Sequence, residues 1–352
     1  MNHPMKHALV AGAHGTAGHT LVSYLAKRPD WKVTGLARRS LPDSDGIPII
    51  AIDLLDRAAC SDKLSSLKDV THVFFAAYQE RQSFAEQVAP NLAMLVNLVE
   101  VIERVASSLH RVVLLQGAKY YGVHLGPFKT PAKEDDPRHM PPNFYYDQED
   151  YLRKRGQNAS WTWTAVRPGT IFGYSIGSPM NLAMVLAVYA SISRELGLPL
   201  RFPGTFRAYR ALRALTDAEL LAKAMVWAAT EPCCASEAFN ITNGEPIRWE
   251  NLWPGFAHIF DMEWALPQKI RLGEVMADKA PLWDSMTKKY GLRPDAYADI
   301  VRWSFGDYIF NYNYDVLLDA SKARRFGFAE HVDNEEMFRR LFDDFRGRRI
   351  IP

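Results

Sequence analysis

The sequence predicts an α/β protein built on a doubly wound parallel sheet, with a smaller, partly interleaved region in its second half. Three observations carry that expectation. The first half alternates short apolar runs with longer amphipathic ones, the pattern of a parallel sheet covered by helices. Each apolar run is short, as strands buried on both faces usually are. A glycine-rich turn separates the first run from the first amphipathic segment.

In order along the chain, residues 7–11 read as a first strand, 17–27 as a helix, 32–37 as a second strand and 49–52 as a third. Residues 73–77 follow as the fourth strand, 87–107 as a long helix, 112–115 as the fifth strand and 162–166 as the sixth. Residues 122–142 are rich in Pro, Gly and charge and read as loop, beside strand ends where chemistry in such sheets is usually placed. After Arg167 the alternation becomes irregular. A helical stretch at 217–229 and a strand-like one at 238–241 suggest a return to the first domain. The expected organisation is therefore a first domain over 1–175 and a second region over 176–352, with about 213–245 returning to the first.

A chain of 352 residues with 48% hydrophobic content buries a sizeable core, which excludes disordered and fibrous classes. Lys plus Arg total 42 against 40 for Asp plus Glu, so no long-range field gathers nucleic acid or an anionic membrane. The expected partner is a small molecule. Cys60, Cys233 and Cys234 give neither a disulfide framework nor zinc-site spacing, so no metal is expected and a reducing cytoplasm fits best. Residues 1–7 lack the apolar stretch of a signal peptide, and the longest apolar run, 182–192, is too short to span a bilayer. A homodimer is compatible with the sequence, though no coiled coil or interface stripe argues for it.

Gly12, Gly15 and Gly18 follow the first strand and open a helix, the context of a Rossmann-type phosphate-binding turn. Glycine lets the backbone approach a pyrophosphate, and the helix N-terminus offers unpaired N–H groups and partial positive charge. The spacing is GxxGxxG rather than GxGxxG, and glycines also serve ordinary tight turns. At the end of the second strand, an acidic residue would bind a ribose 2′-hydroxyl, whereas arginine suits a 2′-phosphate. Arg38 and Arg39 stand there, so NADPH is the expected cofactor. Asp53 and Leu54, after the third strand, are placed to meet the adenine, with a turn-forming role for Asp53 equally open.

Hydride-transfer enzymes of this fold usually carry Tyr and Lys four residues apart on one helical face. No tyrosine here has that spacing: Tyr145 meets Glu149 and Tyr146 meets Asp150 at that offset. Either the chain is inactive or its lysine comes from elsewhere. Three motifs then carry a resemblance: Gln116-Gly117-Ala118-Lys119-Tyr120-Tyr121, Asn143-Phe144-Tyr145-Tyr146-Asp147-Gln148-Glu149-Asp150, and Arg167-Pro168-Gly169-Thr170-Ile171-Phe172-Gly173. They resemble the progesterone 5β-reductase and iridoid synthase family, a divergent extended type of short-chain dehydrogenase that reduces activated C=C bonds with NADPH. Further matches include Ala37-Arg38-Arg39, Ala238-Phe239-Asn240, Trp249-Glu250-Asn251-Leu252-Trp253 and residues 321–328.

The resemblance implies Tyr145 as catalytic tyrosine and Lys119 as catalytic lysine, brought from the loop after the fifth strand. It implies cofactor contacts at His14, Gly15, Thr16, Arg38, Arg39, Asp53, Leu54, Ala77, Tyr145, Ile171, Ser178, Pro179 and Met180, beside Gly12 and Gly18 of the turn. The chain also departs from the family: Gln116-Gly117-Ala118 replaces Thr-Gly-Thr, Tyr120 takes a position often held by His, and Tyr78 stands where plant members have Trp. Tyr78, Tyr120, Tyr121 and Met184 are the candidate substrate-pocket residues.

The expected function is reduction of an activated C=C bond in a small apolar carbonyl compound, an enone. Tyr145 would donate to the carbonyl oxygen, where negative charge develops, with Lys119 favouring the phenolate of a group whose free pKa is about 10. Alternatives are an NADPH-dependent aldehyde or ketone reductase, an NAD-dependent sugar-nucleotide epimerase or dehydratase, and a non-catalytic NADPH-binding sensor. Gly173-Tyr174-Ser175-Ile176-Gly177 matches GxSxG, with His258 and His331 downstream. A nucleophile elbow joins strand directly to helix, whereas a loop is expected to begin at Pro168, so Ser175 reads as structural. Trp303, Phe305, Tyr308, Phe310, Tyr312 and Tyr314 read as core packing rather than pocket wall.

Overall fold

The computed structural model describes residues 5–39 and 46–352. One compact unit comprises Met1–Pro168, Ala218–Ile241 and Asp319–Ala329; the other comprises Gly169–Asp217, Thr242–Leu318 and Glu330–Pro352.

The first unit is built from β1 (Lys6–Ala11), α1 (Thr16–Ala26), β2 (Trp31–Ala37), β3 (Ile49–Ala51), α2 (Arg57–Lys63), β4 (His72–Phe75), α3 (Phe84–Val105), β5 (Arg111–Leu115), α4 (Phe144–Gly156), β6 (Thr162–Pro168), α5 (Ala218–Thr230) and β7 (Glu237–Ile241). Seven strands form one parallel sheet in the order β7-β6-β5-β4-β1-β2-β3. Six strands are expected from the first half alone; the seventh, β7, comes from the strand-like stretch at 238–241 and pairs with β6.

Ala8, Leu9, Val10 and Ala11 are wholly buried, which is why β1 reads as a continuous apolar run. Leu9, Val73, Phe75, Val112 and Leu114 pack against Leu95, Leu98 and Ile102 of α3. Strand order reverses between β1 and β4, and ligands of open α/β sheets bind outside the strand C-termini at such a switch. Two buried asparagines of α3 shape the loops there. Asn91 donates to the Gln79 and Gln87 carbonyls and accepts from the Gln79 amide, and Asn97 donates to the Leu54 carbonyl.

In the second unit, strands Thr170–Phe172 and Leu215–Asp217 pair in parallel. Helix Leu182–Glu195 is buried on nearly every side, as expected of a core helix apolar all round. It shares a core with Phe202, Trp249, Trp253, Phe256, Phe310, Phe338 and Phe342. Met184, a candidate pocket residue, is 0% exposed within that core. Of the late aromatic group, Trp303 and Phe310 are buried, while Tyr308, Tyr312 and Tyr314 form a chain of ring contacts. No helix among the described residues is long and apolar enough to cross a membrane.

Candidate active site

The glycine turn takes its shape from close backbone approach. Gly12 has φ +82°, and a Cβ there would lie 2.6 Å from the Ala76 carbonyl oxygen and 2.8 Å from the Ala77 nitrogen. At Gly18 a Cβ would lie 2.2 Å from the Gly12 carbonyl oxygen, so α1 starts hard against the turn. Gly15 precedes α1 with no side chain capping the helix and no acidic residue in its first turn. The partial positive charge of that helix end is therefore not neutralised locally, and the bare cradle of Gly12, Gly15 and Gly18 fits a dinucleotide pyrophosphate.

His14 Nε2 lies 3.0 Å from the Arg39 carbonyl oxygen, tying the turn to the end of β2, where Arg38 and Arg39 are both exposed. Thr16 is buried at the start of α1, and Ala77 is half-buried just beyond β4. The Asp53 carboxylate accepts from the Leu55 amide at 3.0 Å, so it does form a turn, and Leu54 is buried behind it. Ile171, Ser178, Pro179 and Met180 belong to the second unit. Ile171 lies on the strand Thr170–Phe172, and the other three lie in the loop before the helix Leu182–Glu195, with Pro179 and Met180 exposed.

Tyr145 occupies the first turn of α4 and Lys119 a short 3-10 helix, Ala118–Tyr121, after β5. One side chain joins them: Asn143 Oδ1 accepts from the Tyr145 amide at 3.1 Å, and Asn143 Nδ2 donates to the Lys119 carbonyl at 2.8 Å. The Tyr145 phenol lies beside the same loop, its oxygen 3.6 Å from where a Gly117 Cβ would be. Burial pushes the Lys119 ammonium below the usual lysine range, with Glu80 opposing. Its Nζ stands 5.7 Å from the Tyr78 ring centre, and Tyr78 stacks on Phe144 at 5.6 Å while its hydroxyl donates to Gln87 at 3.3 Å. Nearby, burial together with Lys119 and His139 pushes His124 down to about 4.

Tyr120 and Tyr121, candidate substrate-pocket residues, follow Lys119 on the same 3-10 helix. They are 5% and 4% exposed, and Arg167 explains why. Its guanidinium carbon lies 3.3 Å from the Tyr120 ring centre, and its NH1 donates to Tyr121 Oη at 3.1 Å, while Tyr121 donates to Asn240 at 2.7 Å. Both rings are thus engaged by Arg167.

The model of a PRISE-like Rossmann-fold domain matches residues 8–352. The chain belongs to this PRISE-like family. Among curated relatives, the (S)-8-oxocitronellyl enol synthase of Nepeta racemosa is 35% identical over 98% of this chain and 93% of its own length. The 3-oxo-Delta(4,5)-steroid 5-beta-reductase of Arabidopsis thaliana is 34% identical over 98% and 93%. This PRISE-family chain is accordingly an oxidoreductase of the short-chain dehydrogenase type. Among solved structures, the UDP-glucose 4-epimerase of Thermotoga maritima matches with TM-score 0.70 and 18% identity, covering 97% of this chain and 99% of that one, a likeness of fold alone.

In this PRISE chain the GxSxG match does not form a nucleophile elbow, though the reason differs from the expected one. The strand does not give way to loop at Pro168, because Thr170–Phe172 resumes strand structure just before the motif. The next helix starts only at Leu182, Ser175 is buried with its hydroxyl accepting from Asn181, and His258 and His331 are exposed. Among the described residues no group of three or more His, Cys, Asp or Glu is placed to hold a metal ion.

The sequence reading missed two supporting side chains. Asn143 was legible as a helix N-cap ahead of Phe144-Tyr145-Tyr146, and Asn91 only as an unusual amide inside a long apolar helix.

Proposed function

We propose that this chain is an NADPH-dependent reductase of activated C=C bonds in a small apolar carbonyl substrate, with Tyr145 as donor to the carbonyl oxygen and Lys119 as its electrostatic partner. The observation that carries this reading is the Asn143 side chain, which ties the backbones of Tyr145 and Lys119 together. Arg38 and Arg39 support the choice of NADPH, since a guanidinium matches a phosphate in fork geometry. The stacked Tyr78–Phe144 pair beside Lys119 supports an apolar substrate.

When bound, NADPH supplies a hydride to the β-carbon of the enone. The C=C electron pair shifts toward the carbonyl, and the oxygen becomes enolate-like. Tyr145 Oη donates to that oxygen, where a hydrogen bond is stronger than in the ground state and so lowers the barrier. Lys119 carries its charge in surroundings that burial makes unfavourable for an ammonium, and developing negative charge at the oxygen relieves that penalty. The enolate then takes one proton from solvent on its α-carbon, which restores the C=O bond and leaves Tyr145 protonated.

The test is NADPH oxidation, with NADH for comparison, against enones, aldehydes and ketones with product identification. Saturated carbonyl product is expected, with kcat lowered about 10²–10³-fold in Tyr145→Phe. Alcohol as the product would make the chain a carbonyl reductase, and tight NADPH binding without turnover would make it a sensor.

A further inference from the structure

Glu149 and Arg167 are each 1% exposed and meet at 2.7 Å. Every side of that guanidinium is held. NH2 donates to Glu149 Oε2, NH1 to Tyr121 Oη and, at 3.3 Å, to the Glu134 carbonyl, and one face lies on Tyr120. Its Nε donates to Gln116 Oε1 at 2.8 Å. Because arginine only donates, the Gln116 atom facing it must be the oxygen, and the NH2 end points the other way. That end donates to the Tyr145 carbonyl at 3.0 Å. The Gln116 backbone is fixed as well, its amide donating to the Val166 carbonyl at 2.8 Å.

Tyr145 is thereby held from both sides of its peptide backbone, at the amide by Asn143 and at the carbonyl by Gln116. It sits in the first turn of α4, where a helix frays unless it is tied down. We infer that Gln116 is a positioning residue for the reaction, carrying the rigidity of the buried Arg167–Glu149 pair to the turn that presents the Tyr145 phenol. The inference rests on Tyr145 being the donor, so the test includes that residue.

Gln116→Glu keeps an acceptor for Arg167 and removes the donor to Tyr145, while Gln116→Met, of similar length, removes both. Each is compared with wild type and Tyr145→Phe for kcat, KM, NADPH Kd, the pH dependence of kcat and the thermal midpoint. Both variants are expected to lose about 10–100-fold in kcat, as small misplacements of reacting groups do, with NADPH Kd within about twofold of wild type. The alkaline limb of the kcat profile is expected to move in both, since the phenol changes place relative to Lys119. Wild-type kcat in both variants while Tyr145→Phe is inactive would overturn the positioning role and leave the donor reading standing. A parallel loss of kcat and NADPH affinity would overturn it too, by showing a general disturbance of the site. Wild-type kcat in Tyr145→Phe would remove both claims together. Should Gln116→Met fail to fold, Gln116→Glu alone decides.

Discussion

Gly12, Gly15 and Gly18 share a motif, yet the space around each differs. Gly12 needs its positive φ and the space beside Ala76, Gly18 needs the space beside the Gly12 carbonyl, and a Cβ at Gly15 would stand 3.4 Å from that carbonyl, a contact a small shift relieves. Gly18→Ala is expected to destabilise the fold by about 1–3 kcal/mol, as overpacking does, and to abolish dinucleotide binding. Gly15→Ala is expected to fold normally and keep measurable NADPH affinity. Chemical denaturation together with cofactor titration checks both, and equal behaviour of the two variants would refute the distinction. The sequence showed where the glycines are but not that Gly12 lies against Ala76 and Ala77, just beyond β4 and far along the chain. The same limit applies to Tyr120 and Tyr121. A motif places them beside Lys119 but does not say which way a 3-10 turn points their rings, and Arg167 decides that.

Helix α4 carries the tyrosine and was hardest to see in the chain. Its buried face includes Gln148 and Glu149 as well as Phe144, Tyr146 and Leu152, so the apolar period that marked α1 and α3 is broken by polar residues that bury only because they are bonded. Gln148 donates to the Asn91 carbonyl of α3, and Glu149 binds Arg167 of β6 and Arg153 one turn on. These contacts join the helix to its neighbours by polar links that no single-sequence periodicity reports. Removing the Glu149 charge leaves Arg167 buried without its carboxylate. Glu149→Gln is therefore expected to cost about 3–5 kcal/mol of stability. Urea unfolding measures it, and a loss below about 1 kcal/mol, the range of exposed pairs, would show the pair to be solvated. Strand β7 has the opposite history: its apolar residues were plain in the sequence, and only its partner, β6, had to come from the structure.

Across the whole molecule, the parallel sheet was legible because short buried strands and long helices have distinct patterns. The exact places where the chain leaves and re-enters the first unit, Pro168, Ala218, Ile241 and Asp319, were not, because local sequence on either side of a crossing looks alike. The sheet's N-terminal edge carries a consequence for acid stability. His72 of β4 is 4% exposed, with Thr71 Oγ1 2.8 Å from its Nδ1, and lies 5.0 Å from the Trp31 ring and 5.6 Å from His110. Burial, then His110, Arg111 and Lys6, push its pKa down to about 3. Burial also lowers His7 and His110. The unfolded chain, with imidazole near 6.5, then binds protons that the folded chain refuses, so stability is complete above about pH 6.5 and falls as pH drops toward 3. At about 1.4 kcal/mol per pH unit, His72 alone accounts for about 2 kcal/mol between pH 6.5 and 5. Carboxylates held low, such as Asp69 at about 2 beside Lys32 and His7, lose their contribution only below about pH 4, so they do not confuse this window. Urea unfolding at pH 7, 6 and 5 should therefore show a falling midpoint, and His72→Gln should flatten the slope. A midpoint unchanged over that range would mean that His72 is solvated or protonated in the folded sheet.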